Sequence, residues 1–251
     1  MGGAVIENTV LNKPFEEPSR HWRFDDDGIT NEIEESRRIS SYFIPIPPPK
    51  KRSKQLALET AWAKEREKPN ELINQVRQRV AEWRIGEYQG VTATTRQLLQ
   101  YWTNRDRERR LFFCQIEALE TLIYLTEVAD TYGQQWIRQE LRQQNEYANP
   151  GLFRLAVKMA TGSGKTVVLA MVIAWQVLNK LVSPQDRRFS DAFLIISPGI
   201  TIRDRLRVLF PNDPHNYYVE RDIVRSAELE RLQQARLDNY EFSSVRATRK
   251  A

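Results

Sequence analysis

The chain carries a single cysteine, Cys114, among 251 residues, which excludes an internal disulfide framework and any metal site built on paired cysteines. Histidine is almost as scarce. His21 and His215 are the only two, and they stand too far apart in sequence to suggest a metal centre. No run of eighteen apolar residues occurs, so composition predicts no membrane partner. The opening Met1-Gly2-Gly3-Ala4 lacks the charged-then-apolar pattern of a secretory signal, and the expected location is cytoplasmic. No internal repeat is visible.

What remains is a chain long enough for one large or two small domains, with ordinary apolar and charged fractions. Its formal net charge of +5 is compatible with a nucleic-acid partner. The charge is unevenly placed. The first fifty residues lean acidic, and the rest is basic, with clusters at Lys50-Lys51-Arg52, residues 105–110, Arg187-Arg188 and residues 203–207. Each cluster also reads simply as a solvated face. Residues 1–53 show no long helical period and end in Ile44-Pro45-Ile46-Pro47-Pro48-Pro49, which must be extended; they read as an arm and linker. Residues 54–110 read as helical. Leu56, Glu59 and Ala63 precede a break at Pro69; Leu72, Ile73, Val76, Val80 and Trp83 then share a face, and Thr94 or Thr95 caps the next helix. An apolar helix over 112–129 and a polar one over 134–144 follow.

The most informative segment is Phe153 to Thr166, an apolar run that breaks into Gly162-Ser163-Gly164-Lys165-Thr166 and is followed by an apolar stretch to Leu181. Strand, phosphate loop and helix is the expected order. Glycines at 162 and 164 let the backbone turn tightly with no side chain between it and the phosphates. The N–H groups of residues 162–166 would then converge at a helix N-terminus, where the helix dipole favours anions. Lys165 would reach the β- and γ-phosphates and Thr166 would ligate Mg²⁺. The predicted nucleotide set is therefore Thr161, Gly162, Ser163, Gly164, Lys165 and Thr166, with ATP and Mg²⁺ as cofactors. One departure stands out: the strict pattern opens with glycine where this chain has Met159. A second buried strand, Ala192-Phe193-Leu194-Ile195-Ile196, would complete a βαβ unit with parallel strands.

Two further features narrow the class. Gln115 opens an apolar helix fifty residues before Lys165, and its carboxamide offers a donor and an acceptor to the N6/N7 edge of adenine. Pro198-Gly199-Ile200-Thr201 follows the second strand, with Arg203 and Arg205 beyond it. Such a loop at a strand's C-terminal edge suits nucleic-acid phosphate, although an ordinary strand-to-helix turn reads the same way.

Taken in order, Gln115, residues 159–166 and Ser197-Pro198-Gly199 resemble the first motor domain of superfamily 2 helicases and translocases. Pro14 to Trp22, residues 37–47 and Phe113 to Thr121 look more specifically like the restriction subunit of type III restriction enzymes. The resemblance covers most of residues 5 to 236. It implies an α/β protein with an incomplete RecA-like parallel sheet, preceded by an irregular, helical N-terminal region, the motor part being residues 111–251. It also implies adenine contact by Gln115, a DNA contact by Pro198, Gly199, Ile200, Thr201, Arg203 and Arg205, and a DNA methyltransferase subunit as partner.

Such motors need an Asp-Glu pair on a later strand, one carboxylate for Mg²⁺ and one to activate water. No Asp-Glu dipeptide follows the phosphate loop, so no catalytic residue is assigned. The expectation is an N-terminal fragment whose second motor and nuclease half lies elsewhere. The alternative is a non-catalytic ATP- or DNA-binding module completed in trans. A P-loop kinase or transferase is disfavoured by Gln115 and the Pro198-Gly199 loop.

Overall fold

A computed structural model describes residues 10–25, 28–43, 67–131 and 133–241. The chain divides into two compact units, Met1–Glu82 and Trp83–Ala251. The proline-rich segment 44–49 and the helical spacing at Leu56, Glu59 and Ala63 lie outside the described residues.

The first unit contains two antiparallel strand pairs. Strands β1 (His21–Asp25) and β2 (Gly28–Glu34) pair with His21 opposite Glu34, and the register shifts between Trp22 and Phe24. Strands β3 (Ser41–Phe43) and β4 (Glu67–Pro69) form the second pair. Neither pair is announced by the sequence, because β3 and β4 are only three residues each and β1 and β2 interleave charged and polar residues with few apolar ones. Helix α1 (Glu71–Ile85) starts beside them. Its Asn74 closes a two-way clamp on Ser40: Ser40 N–H donates to Asn74 Oδ1 at 2.8 Å, and Asn74 Nδ2 donates to Ser40 O at 3.0 Å. Of the predicted apolar face, Val76, Val80 and Trp83 are buried while Ile73 is exposed.

In the second unit, helix α2 (Ala93–Thr103) is capped by Thr92 and not by Thr94 or Thr95. The Thr92 hydroxyl accepts the Thr95 N–H at 3.1 Å, leaving Thr95 itself inside the fold. Helix α3 (Phe113–Ile123) runs into a π-helical turn (Tyr124–Val128), and α4 (Gln135–Ala148) follows. The centre of the unit is α5 (Lys165–Val182), which packs against α2, α3 and the helical segments that follow it in sequence. Its length and mean hydropathy of 1.4 would suit a membrane span, but 56% of it is buried within the fold. Val168, Met171, Ala174, Trp175, Val177 and Leu178 face protein on several sides, as a core helix requires.

After β5 (Ala192–Ser197) come α6 (Ile200–Arg205), a 3₁₀ turn (Leu206–Leu209), α7 (Tyr217–Glu220), α8 (Ser226–Leu232) and β6 (Arg236–Glu241). Strands β5 and β6 pair in parallel, with Ala192 opposite Arg236 and Ser197 opposite Glu241. The protein is thus mixed α/β, and its small parallel sheet fits part of a RecA-like fold.

Two expectations about this sheet are corrected. Residues 153–160 do not form the predicted strand: they carry no ladder partner among the described residues, and Phe153, Leu155 and Val157 are 50%, 39% and 43% exposed. The predicted βαβ unit is therefore not closed around α5. The second concerns the tail, where the residues after Leu237 show no clear strand period in the sequence and β6 nevertheless forms. Leu237 and Asn239 are half-buried on one face while Asp238 and Tyr240 are exposed on the other, so the alternation exists with too few apolar residues to announce itself.

Candidate nucleotide-binding site

The phosphate loop forms as a turn at the N-terminus of α5. Gly162 and Gly164 both have φ of 79°, a left-handed conformation that other residues seldom adopt, which explains glycine at both positions. Gly164 caps the helix and its carbonyl accepts the N–H of Val167 at 2.9 Å. The N–H groups of Gly162, Gly164, Lys165 and Thr166 find no acceptor among the described residues, as expected at a helix start. Together with the dipole of an 18-residue helix they leave this end of α5 electropositive.

The loop is braced from within. The Ala160 carbonyl accepts the Ser163 hydroxyl at 2.7 Å and the Lys165 ammonium at 2.9 Å, so the lysine lies folded back over the turn. Lys165 is exposed and Thr166 half-buried. The strand expected to lead into this loop is instead an irregular segment tethered to α4. At its start the Arg154 backbone is held at both its N–H and its carbonyl by Asn145 of α4, each at 2.8 Å.

Gln115 is brought to the same place. It sits at the third position of α3, and its Oε1 accepts the Phe112 N–H at 2.9 Å, satisfying an orphan donor of the helix start. Its Nε2 donates to the Ser163 carbonyl at 3.0 Å. A carboxamide has two N–H bonds and two lone pairs, so one donor and one acceptor stay uncommitted beside the loop. The residue is 5% exposed.

Helix α3 is itself fixed by residues that the sequence did not single out. Glu120, fully buried, accepts Arg84 Nη2 at 2.6 Å and Nε at 3.0 Å, and the Tyr88 hydroxyl at 2.6 Å. Burial, and next the Glu120 charge, keep the Tyr88 phenol well above its ordinary range. The Arg84 guanidinium also lies 5.0 Å from the Phe113 ring. Only a contact map could have paired Arg84 with Glu120, thirty-six residues apart.

The second predicted cluster lies at the C-terminal end of β5. Pro198, Ile200, Thr201 and Arg205 are exposed; Gly199 and Arg203 are half-buried. Gly199 is extended, with φ of −167°, so its identity is not demanded by backbone strain. The Arg203 guanidinium pairs with Asp204 at 3.0 Å, and the Arg203 carbonyl accepts Asn239 Nδ2 at 2.9 Å, tying α6 to β6. Within the basic run 105–110, Arg107 is not solvated: it is buried, pairs with Asp222 at 3.3 Å and stacks on Tyr101 at 4.5 Å.

The family model of the type III restriction enzyme res subunit matches residues 108–241, more than half of the chain. The chain belongs to that family. The matched span takes in Gln115, the phosphate loop, the Pro198-Gly199 loop and the parallel sheet through β6. No curated protein and no solved structure matches the chain.

Proposed function

We propose that this chain is the ATP-binding part of a DNA translocase or helicase subunit of the type III restriction kind. The observation that carries the reading is the loop at α5: two left-handed glycines, uncommitted amides and a lysine at the N-terminus of a long buried helix. The residues fit ATP–Mg²⁺. The amides of residues 162–166 would hold the phosphates, and Lys165 would exchange the Ala160 carbonyl for the β- and γ-oxygens. Thr166 would ligate Mg²⁺, with Thr161 and Ser163 shaping the turn. The remaining N–H and lone pair of Gln115 suit the adenine edge. Bound ATP supplies the free energy of phosphate hydrolysis that motion along DNA consumes.

Pro198, Gly199, Ile200 and Thr201 would meet the DNA backbone, with Arg203 and Arg205 supplying charge. Residues 167–251 contain no Asp-Glu pair, so no side chain of these 251 residues is assigned to activating water, and none to nuclease chemistry. A methyltransferase subunit would be a partner, and the setting is cytoplasmic.

The second reading, a non-catalytic ATP- or DNA-binding module completed in trans, is favoured by the unpaired segment 153–160 and by exposed Leu194 and Ile196 on β5. Both readings predict binding without turnover for these 251 residues. Calorimetric titration with ATP–Mg²⁺ should show affinity about ten- to a hundredfold lower in Lys165→Ala, the range for losing charge-assisted hydrogen bonds. Phosphate release should be equal in the two proteins. Failure of the native chain to bind ATP would overturn the site; a DNA-stimulated rate lost in the variant would overturn the absence of turnover.

A further inference from the structure

Gln115 and Gly164 occupy one another's space. A Cβ built on Gly164 would stand 2.2 Å from Gln115 Nε2, closer than any real contact. Glycine at 164 suits its φ of 79°, and any side chain there would push the Gln115 amide off the loop. The same amide donates to the carbonyl of Ser163, the residue between the two left-handed glycines. Its oxygen is fixed by the Phe112 N–H, and α3 is anchored by Glu120. The chain of contacts runs from a buried ion pair, through a helix, to one peptide group of the phosphate loop.

We propose that Gln115 is a positioning residue for the phosphate loop, acting on the triphosphate and not only on the base. The Ser163–Gly164 peptide can present its N–H to a phosphate only if its carbonyl points away from the anion. Gln115 holds that carbonyl from the rear. The amide of Gly164 is thereby turned toward the concavity before any ligand arrives, and less ordering remains to be done on binding. Loss of Gln115 lets the peptide rotate, which glycine at 164 readily permits. This inference deepens the nucleotide-site reading and rests on it for the identity of the ligand.

The consequence separates it from adenine recognition. A base-reading glutamine matters for ATP and is irrelevant to a ligand without a base. A loop-positioning glutamine matters equally for ATP, GTP and inorganic tripolyphosphate. The test compares the native chain with Gln115→Met, which keeps the side chain's length without its hydrogen bonds, and with Gln115→Ala. Titration with each ligand and Mg²⁺ should show GTP and tripolyphosphate weakened about three- to tenfold, the range for one or two lost hydrogen bonds, and ATP weakened by at least as much. A loss confined to ATP, or no loss at all, would overturn the proposal.

A second measurement needs no ligand. The chain has ten glycines, few enough for selective ¹⁵N-glycine labelling to give a readable amide spectrum. In Gln115→Met the Gly162 and Gly164 amide signals should shift and broaden, while Gly90, Gly133 and Gly151 keep theirs. General destabilisation would instead move all of them. Unmoved Gly162 and Gly164 signals would overturn the positioning role. If the native chain binds none of the three ligands, the nucleotide reading fails on its own terms, and the glycine spectrum still decides whether Gln115 shapes the loop.

Discussion

The Glu127 carboxylate accepts the indole N–H of Trp175 at 2.8 Å, and both side chains are buried. The same carboxylate accepts the Thr92 N–H at 2.9 Å and the Thr95 hydroxyl at 2.7 Å, so it terminates α2 and grips the middle of α5 together. Asn179, one turn beyond Trp175, donates to Thr95 at 2.9 Å and accepts the Thr92 hydroxyl. The π-helical turn at Tyr124–Val128 carries Glu127 into this network. The helix that presents Lys165 is thus pinned through polar contacts as well as apolar packing.

Trp175→Phe should therefore destabilise the protein by about 1–3 kcal/mol, because it strands part of a buried carboxylate's bonding. Urea unfolding measures this. Adding Glu127→Ala should cost less than the sum of the two single changes, since both remove one shared interaction. Full additivity would show that the contact carries no coupling energy.

Alkaline stability should depend on Tyr101. Burial first, and then its hydrogen bond to Asp222 and that group's charge, push this phenol up to about 12, with Arg107 and Arg225 opposing. The unfolded value is near 10. The folded state thus favours the protonated phenol, and its contribution is fully present below pH about 10, then declines up to about 12 and is lost above. Urea midpoints across that window should fall more steeply for the native chain than for Tyr101→Phe. Identical pH profiles would place the dependence on Tyr88 or Tyr218, whose phenols burial also raises.

The contrast between what was legible in the sequence and what was not has a physical basis. The turn at Gly162 and Gly164 and the helix start after it were legible, because the two glycines answer a local backbone demand. Helix α5 was legible because its apolar period is long. The strand into the loop does not form: Phe153, Leu155 and Val157 at alternate positions state a preference, while a strand exists only when a neighbour supplies a ladder, and residues 153–160 have none among the described residues. Strand β6 was missed for the converse reason, since pairing with β5 organises a sequence, Arg236 to Glu241, that is weakly apolar by itself. The cap at Thr92 was assigned to Thr94 or Thr95 because three threonines in four residues are equivalent until Glu127 and Asn179 are placed around them.

The exposed apolar face of the β5–β6 pair predicts association. Leu194 and Ile196 lie on one face of β5, 62% and 54% exposed, and Tyr240 is 49% exposed opposite Ile196 on β6. An exposed apolar sheet face, and a segment 153–160 without a ladder partner among the described residues, invite pairing between copies. Light scattering at micromolar concentration should detect oligomers of the native chain, and Leu194→Lys with Ile196→Thr should reduce them. A monomeric native chain with a sharp cooperative melt would mean that this face is harmless.

DNA binding should be non-specific and electrostatic, and Arg205 should dominate it. Arg203 already shares its charge with Asp204 at 3.0 Å, whereas Arg205 is exposed on the same short helix. Arginines near a strand's C-terminal end position phosphate without reading bases. If two phosphates are neutralised, log affinity should fall against log salt with a slope of about −1.4 on single strands and −1.8 on duplex. Fluorescence anisotropy across a salt series reads this slope. Arg205→Ala should flatten it more than Arg203→Ala, because only the first removes a charge with no ion-pair partner among the described residues. Nucleotide binding should be unchanged in both, since neither residue belongs to the phosphate loop. An unaltered slope in the double variant would move the contact to Arg105, Arg109 and Arg110, the exposed arginines of a run whose Arg107 is already committed to Asp222.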